Sequence, residues 1–490
     1  MMSIWKKGIK SLKDDTELDR EVDILIIGGG VAGITTLYLL SHEKKNVLLI
    51  DKGRIGYGVT SNTTGKITYL QDHIYEDISK MYDENTASQY LRSQLEACSF
   101  IKDTILKEKI TCNYKEVDSY VFATKQEEIE QLNWLKTFLE NNHIKSEIQK
   151  ELPVSLPCLA SLKGEKSAVF HPLKYLYKLA RISLKRGAKI KEYVRAYDID
   201  KKETYEVKTD KGSIKAKQVI VCTHYPFFVK PGYVPLKTHV ESSYIVSSIV
   251  DECKPISCIT YQKTVLSLRY HQDRKSYLLF ASQSDKITKC VDPLENYQEL
   301  EEKFSKYFKT SIQEMWSTHD IMPNDYLPLI GEVEDNLYLA TGFQKWGMTN
   351  GTIAGILISE LILGHNNEYR ELFSPKRKYN LKRCYHTIID GIDTVKAMTI
   401  SLLKKQPVDI RYENGKRIGV YTDSNGVEHK IHTLCPHMKC HLCFNEEDLT
   451  WECPCHGSKF DVDGNLLEGP SVFDNCTNVT IQTMTRKSKE

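Results

Sequence analysis

From Val22 to Asp51 the chain reads VDILIIGGGVAGITTLYLLSHEKKNVLLID: an apolar run, a cluster of glycines, a helix-length apolar stretch and a second apolar run. An unbroken run such as Ile24 to Ile27 predicts a strand buried on both faces of a parallel sheet, so the segment reads as a β-α-β unit. From about residue 80 to 160 the pattern turns helical and charged. AVFHPLKYLYKLARISLKRGAKI (168–190) predicts an amphipathic helix leading into another strand, and Val219 to Thr223 a further parallel-type strand ending in a polar loop. The alternating stretches between 235 and 285, THVESSYIVSSIV and YLLFAS among them, predict antiparallel strands of a second sheet. DNLYLATGFQKWGMTNGTIAGILISELILG (335–364) predicts one more strand, a glycine-rich turn and a closing helix.

Residues 366–383 are polar and basic and mark a boundary. Ile388, Ile392, Val395, Met398 and Leu402 then recur at helical spacing among lysines, which predicts a linker helix packed on its own protein in preference to one lying on a membrane surface. From about 406 short strands and turns open a small β domain. No internal repeat or low-complexity segment interrupts the chain.

Composition narrows the function classes. A length of 490 residues suggests several compact units, and a net charge of +2 offers no field for nucleic acid, so a small-molecule partner is expected. The charged N-terminus lacks the apolar core of a secretory signal and no long apolar run predicts a membrane span, so the expected compartment is the cytoplasm. Eight of the fourteen cysteines (Cys98, Cys112, Cys158, Cys222, Cys253, Cys258, Cys290 and Cys384) are scattered and are expected to be buried thiols; six crowd between Cys435 and Cys476.

Gly28, Gly30 and Gly33 form a G-x-G-x-x-G between strand and helix. Gly28 suits a tight turn, Gly30 lets backbone approach a pyrophosphate, and Gly33 allows close packing of helix on strand. Asp51 ends the second strand, where a carboxylate accepts from a ribose 2′-OH and disfavours a 2′-phosphate; NAD and FAD remain. GRIGYGVTSNTTGKIT (53–68) and ATGFQKWGMTNGTIAG (340–355) resemble flavin-contacting segments of the D-amino-acid-oxidase-like family, glycine oxidase and sarcosine oxidase among them, over about residues 21 to 364. The resemblance implies FAD, held non-covalently. It implies that Lys52, Gly58, Thr60, Ser61 and Asn62 lie near the cofactor, that Ala196 contacts adenine through its backbone, and that Gly342, Trp346, Gly347, Met348 and Thr349 line the ring. The 270–290 stretch lacks glycines that family carries.

CPHMKCHLCFNEEDLTWECPCHGS (435–458) holds five cysteines and three histidines. Cys435, His437, Cys453 and His456 would satisfy tetrahedral zinc, although a Cys-x-His pair is tighter than zinc-ligand spacing usually is. The stretch, with HGS behind its second pair and Gly469-Pro470-Ser471 as a third loop, resembles the Rieske [2Fe–2S] domain in its disulfide-bearing form. That resemblance implies Cys435 and Cys453 on one iron, His437 and His456 on the other, and a Cys440–Cys455 disulfide. It also implies a hydrogen bond from the Ser458 hydroxyl to a cluster sulfide, with Phe460 standing where high-potential members carry a tyrosine. Cys443 has no family role and competes for Cys455.

The fold expected is α/β: a Rossmann-type FAD-binding domain with an inserted mixed or antiparallel-sheet substrate domain, plus a small all-β Rieske domain. Its divisions are an arm (1–20), the oxidoreductase domain (21–365), a linker (366–405) and the Rieske domain (406–490). Within the oxidoreductase domain the nucleotide-binding parts are about 21–75, 165–225 and 320–365, and the substrate side about 76–164 and 226–319. The whole resembles FAD-dependent oxidoreductases that carry a C-terminal Rieske domain, and the function expected is a dehydrogenase that oxidises a small amine or amino acid by hydride transfer to FAD and passes electrons singly through the cluster to an unknown external acceptor. A reductase fed at the cluster and an electron-transfer protein without its own substrate are the alternatives. Candidate catalytic residues are Arg269, for a substrate carboxylate or an ion pair, and Lys345 and Trp346, beside the expected ring. His171 reads as a helix-start residue, and His224 and Tyr225 as loop structure.

Overall fold

The computed structural model describes residues 3–12, 17–252, 254–261, 266–289, 293–378 and 381–476. Cys253 and Cys290, parts of the N-terminal arm and the last fourteen residues of the expected Rieske domain lie outside them. The chain forms two compact units, Met1–Asp393 and Thr394–Glu490.

The first unit is built on two sheets. In one, Glu21–Ile27 lies at the centre between Gly212–His224 and Val47–Ile50, with Leu337–Thr341 and Lys189–Lys191 continuing it outward; all these pairings are parallel. Ile24, Leu25 and Ile26 are fully buried, as a two-sided strand requires. Antiparallel additions close the edges: Leu329–Glu334 beside Leu337–Thr341, and the hairpin of Ala196–Lys201 and Tyr205–Thr209 against Gly212–His224.

The helix Val31–Leu40 follows the glycine turn and packs against the closing helix Gly347–Leu363. Both are apolar nearly all round, because both are buried. Their approach depends on two glycines one turn apart: a Cβ at Gly355 would lie 2.6 Å from Thr35 Cβ, and one at Gly351 3.0 Å from Val31 Cβ.

The second sheet has nine strands, in the order Ile312–Pro323, Thr238–Val250, Ser276–Lys286, Leu266–Gln272, Ile256–Thr260, Lys115–Ala123, Ala160–Val169 and Lys66–Ile67, with Ser146–Gln149 beside Ala160–Val169. It is antiparallel except where Ile256–Thr260 meets Lys115–Ala123. Two of its strands, Lys115–Ala123 and Ser146–Gln149, come from the 80–160 stretch that reads as helical. The helices there, Glu84–Lys107 and Glu127–Asn141, are real, but Lys115–Ala123 carries an inward-facing run that charged neighbours mask. The helix leading into a strand that 168–190 predicts is Pro172–Lys185 followed by Lys189–Lys191; it starts after Ala168 because Ala160–Val169 is strand and His171 caps the helix, its Nδ1 accepting from the Lys174 N–H at 3.3 Å.

The N-terminal arm is part of this unit. Trp5 is fully buried, donates through Nε1 to the Thr63 carbonyl at 2.7 Å, and lies edge-on to His171 and His271.

In the second unit, Asp409–Glu413, Lys416–Thr422 and Glu428–His432 form one antiparallel sheet; Cys443–Asn445, Thr450–Glu452, Lys459–Asp461 and Leu466–Glu468 form another. Trp451 is fully buried and fills the space over Gly419, where a Cβ would stand 2.1 Å from the indole. The helix Leu381–Leu403 runs across the division between the units. Its recurring apolar residues Ile388, Ile392, Val395, Met398 and Leu402 are exposed, which corrects the expectation that they pack on their own protein; within the first unit the helix is held instead by polar residues, Thr387 and Asp390.

Candidate functional site

The glycine turn is held by close approach on two sides. Gly28, at φ +107°, would place a Cβ 2.4 Å from the Cys222 carbonyl oxygen of the neighbouring strand, and a Cβ at Gly33 would lie 1.9 Å from the Gly28 oxygen. Gly30 caps the helix Val31–Leu40 and meets only Thr60 Oγ1, at 3.3 Å, which in turn accepts from the Val31 N–H at 3.3 Å. A helix N-terminus with bare backbone and a hydroxyl beside it is a cradle for a diphosphate. Asp51 closes the turn: its two oxygens accept from the N–H groups of Gly29 at 2.7 Å and Gly53 at 2.8 Å. Burial raises the Asp51 carboxyl pKa, and those two amides oppose the rise.

Gly58 leads into the turn Val59–Asn62, in which the Ser61 hydroxyl donates to the Gly58 carbonyl at 2.8 Å and Ser61 and Asn62 are buried. Ala196 opens an edge hairpin and is buried. Lys52 follows Asp51 directly and is exposed.

The late turn carries backbone strain. Gly342 (φ +76°), Gln344 (+50°) and Lys345 (+67°) are all left-handed, two of them without the freedom of glycine. Trp346 caps the closing helix, Gly347 begins it, and Met348 and Thr349 are buried in its first turn. Gln344, which the sequence reading missed, is buried, and its Nε2 has no hydrogen-bond partner among the described residues. Strain and an orphaned amide in a glycine-flanked turn fit a bound ring with polar edges. Also missed is the buried network behind it. Gln71 Nε2 donates to Gln94 Oε1 (3.0 Å), Gln94 Nε2 to Asn350 Oδ1 (2.9 Å), and Asn350 Nδ2 to the Phe343 carbonyl (3.0 Å). Gln71 and Gln94 lie more than 250 residues before Asn350 in the chain; only the polar residues within an apolar helix hinted at them.

Lys345 pairs with Glu241 at 2.6 Å. Glu241 Oε1 also lies 3.3 Å from His239, which stands 3.5 Å from Asp390. Burial alone would lower the His239 pKa, yet hydrogen bonds to Asp390 and Glu241 carry it up to about 9.

Arg269 is fully enclosed. Its guanidinium donates to the carbonyls of Thr64 (2.7 Å), Gly65 (2.6 Å) and Phe170 (3.2 Å) and lies over the Trp5 ring. These partners stand in place of both the substrate carboxylate and the ion pair expected for it; Arg269 ties strand, arm and early loop together.

In the second unit two loops face each other. In the first, the N–H of Lys439 donates to the Cys435 carbonyl; in the second, that of Gly457 donates to the Cys453 carbonyl. The thiols of Cys435 and Cys453 are hydrogen-bonded to each other, which lowers the Cys435 pKa and raises that of Cys453; backbone N–H groups of His437 and Met438 also serve the first sulfur, and those of Cys455 and His456 the second. The rings of His437 and His456 lie 5.0 Å apart. Burial lowers both pKa values, and His437 adds to the fall of His456 to about 4, so both imidazoles are neutral at pH 7.

Each buried Nδ1 lacks a hydrogen-bond partner among the described residues. Two thiols and two neutral imidazoles with orphaned nitrogens fit a two-iron centre of mixed ligation. Cys440 and Cys455 are joined in a disulfide, so although their sulfurs lie within 4.8 Å of that of Cys453, they supply no thiolate. Cys443 is a free thiol in the strand Cys443–Asn445. The third loop abuts the second: a Cβ at Gly469 would lie 2.4 Å from Ser458 Cα, and Ser458 Oγ accepts from the Ser471 N–H at 3.2 Å. Of the scattered cysteines, Cys98, Cys112, Cys222 and Cys258 are buried, Cys158 is half-buried, and Cys384 is exposed, contrary to expectation.

Residues 23–361 match the FAD dependent oxidoreductase family and residues 394–478 the Rieske [2Fe-2S] domain. A Bacillus subtilis protein described as a Rieske 2Fe-2S iron–sulfur protein, YhfW, is 31% identical over 473 residues, covering 93% of this chain and 92% of its own. The gamma-glutamylputrescine oxidoreductase of Escherichia coli is 23% identical over 368 residues, 70% of this chain and 84% of that protein. An L-amino acid deaminase from Proteus vulgaris shares the fold of the first unit at a TM-score of 0.62 and 18% identity, over 76% of this chain and 98% of that one. This chain belongs to the FAD dependent oxidoreductase family and carries a Rieske [2Fe-2S] domain behind its flavin-binding part.

Proposed function

We propose that the protein dehydrogenates a small amine or amino acid at a C–H bond next to nitrogen and passes the two electrons, one at a time, to an external acceptor. The observation that carries the reading is the union of the two domains in one chain: FAD when bound takes a hydride with its two electrons, and a [2Fe–2S] cluster when bound passes single electrons. A second redox centre has no purpose if oxygen drains the first, which favours a dehydrogenase over an oxidase. The E. coli relative's name, gamma-glutamylputrescine oxidoreductase, and the Proteus structure's, L-amino acid deaminase, support a nitrogen-bearing substrate.

The substrate loses a hydride and a proton and becomes an imine. Gly28, Gly30, Gly33 and Thr60 would cradle the diphosphate and Asp51 would fix the turn. Lys52, Gly58, Ser61, Asn62 and Ala196 would flank the nucleotide, and Gly342, Trp346, Gly347, Met348 and Thr349 the ring. Lys345, held by Glu241, keeps a positive charge at the late turn. Cys435 and Cys453 would hold one iron, His437 and His456 the other.

Anaerobic mixing with a panel of amines and amino acids tests the reading. Bleaching of the flavin band followed by loss of the cluster's visible absorbance is expected. Failure of every donor, while dithionite reduces both centres, sinks it in favour of a protein that takes electrons at the cluster or has no substrate of its own.

A further inference from the structure

The helix Leu381–Leu403 is amphipathic with its faces reversed. The side that meets the first unit is polar: Asp390 pairs with Lys286 at 2.6 Å, Asp393 lies 3.4 Å from the same amine, and Thr387 Oγ1 donates to the Leu236 carbonyl at 3.1 Å and accepts from Asn324 Nδ2 at 3.2 Å. The apolar residues point outward. Tyr385 is 64% exposed, Ile388 61% and Ile392 47%, and Val395 and Leu402 continue the stripe at helical spacing. Beside it, in the loop that Thr387 touches, Val229, Tyr233 and Leu236 are exposed as well. A contiguous apolar surface on this scale marks an interface.

Charge says which kind. Between Lys376 and Lys405 the chain holds eight basic residues (Lys376, Arg377, Lys378, Lys382, Arg383, Lys396, Lys404 and Lys405) against two acids, Asp390 and Asp393. Both acids are turned inward onto Lys286, whereas Lys376, Lys378, Lys382, Lys396 and Lys405 are exposed. The outward face of this helix is therefore apolar with positive charge at both ends and no carboxylate. A second copy of the chain meeting the same face about a two-fold axis would bring basic flanks against one another, which disfavours it. An anionic surface that accepts apolar side chains complements both features.

We propose that this face docks on an anionic lipid bilayer, with the helix lying in the plane of the headgroups and its apolar stripe sunk into the acyl boundary. No helix among the described residues is long and apolar enough to cross a membrane, so the association is peripheral. It is independent of the substrate.

Co-sedimentation of the full-length holoprotein with vesicles tests it, using equal parts phosphatidylglycerol and phosphatidylcholine against phosphatidylcholine alone. Binding to the anionic vesicles only, released by high salt, is expected. The double variant Ile388→Glu/Ile392→Glu should bind at least about tenfold more weakly, and Lys396→Gln about fivefold, with flavin absorbance and melting temperature unchanged because all three side chains are exposed. Absence of binding to anionic vesicles, or binding that the double variant leaves intact, overturns the proposal. So does a concentration-dependent dimer that the double variant abolishes in a protein indifferent to lipid.

Discussion

The imidazole rings of His437 and His456 stand edge to face, centroids 5.0 Å apart and planes at 87°, and the Nδ1 atom of each is buried without a hydrogen-bond partner among the described residues. Two such nitrogens aimed from separate loops are costly to leave bare. Iron offsets that cost. His456→Asn should therefore lower iron and acid-labile sulfide from about two of each per chain to near zero while FAD, bound by the other unit, stays. Metal analysis beside the flavin spectrum of one preparation checks it; loss of both cofactors together would contradict it.

The Cys440–Cys455 disulfide closes a separation of 15 residues. A loop of that length gives about 3 kcal/mol of stabilisation by restricting the unfolded chain. Cys440→Ser should lower the stability of the second unit by about that amount and hasten bleaching of the cluster in denaturant, with the unfolding of the first unit unmoved. Following cluster absorbance and flavin release in one titration separates the two.

Gly33 lies where a methyl group would meet the Gly28 carbonyl at 1.9 Å, and no side-chain movement relieves contact with backbone. Gly33→Ala should yield protein that purifies without its yellow colour, or with FAD affinity reduced by more than about a hundredfold, equivalent to about 3 kcal/mol. Equilibrium dialysis with added FAD gives the number.

Arg269 offers a contrast between stability and catalysis. Its guanidinium satisfies three buried carbonyls, so Arg269→Met should cost about 3 kcal/mol or more through orphaned acceptors. In whatever fraction folds, KM for an amino-acid substrate should stay as it is. A rise in KM without a fall in melting temperature would restore the substrate-carboxylate role.

His239 sets a pH dependence. Its folded pKa, about 9, lies above the ordinary histidine value of 6.5, so the folded state binds the proton more tightly than the unfolded chain does. The contribution is complete below about pH 6.5 and is lost as pH rises through about 9, at most about 3 kcal/mol. Asp390→Asn should flatten that slope in urea titrations run from pH 6 to 9.5.

What was legible in the sequence was local. The strand Glu21–Ile27, the glycine turn and Asp51 announce themselves within about thirty residues, and the cysteines and histidines of the second unit within about twenty. What was hidden depends on partners distant in the chain. Lys115–Ala123 becomes a strand because Ile256–Thr260 and Ala160–Val169 pair with it, against a helical neighbourhood. Arg269 looks like a substrate-binding arginine until Trp5 and three carbonyls arrive from three other segments. The helix after Leu381 has a periodicity that reveals two faces, but periodicity does not say which one the protein keeps; Lys286 and Asn324 decide that.

The glycine pair of the closing helix bears on how the protein is born. Val31 and Thr35 rest on Gly351 and Gly355, so one side of the earliest helix of the sheet is covered only by the latest one. A ribosome making this chain must release more than three hundred residues after Gly30 before that partner helix exists, so a nascent polypeptide halted near Thr341 carries the glycine turn with its helix still bare on one side. The candidate cluster ligands, from Cys435 onward, come later still, so neither redox site has all its residues until most of the chain has been made.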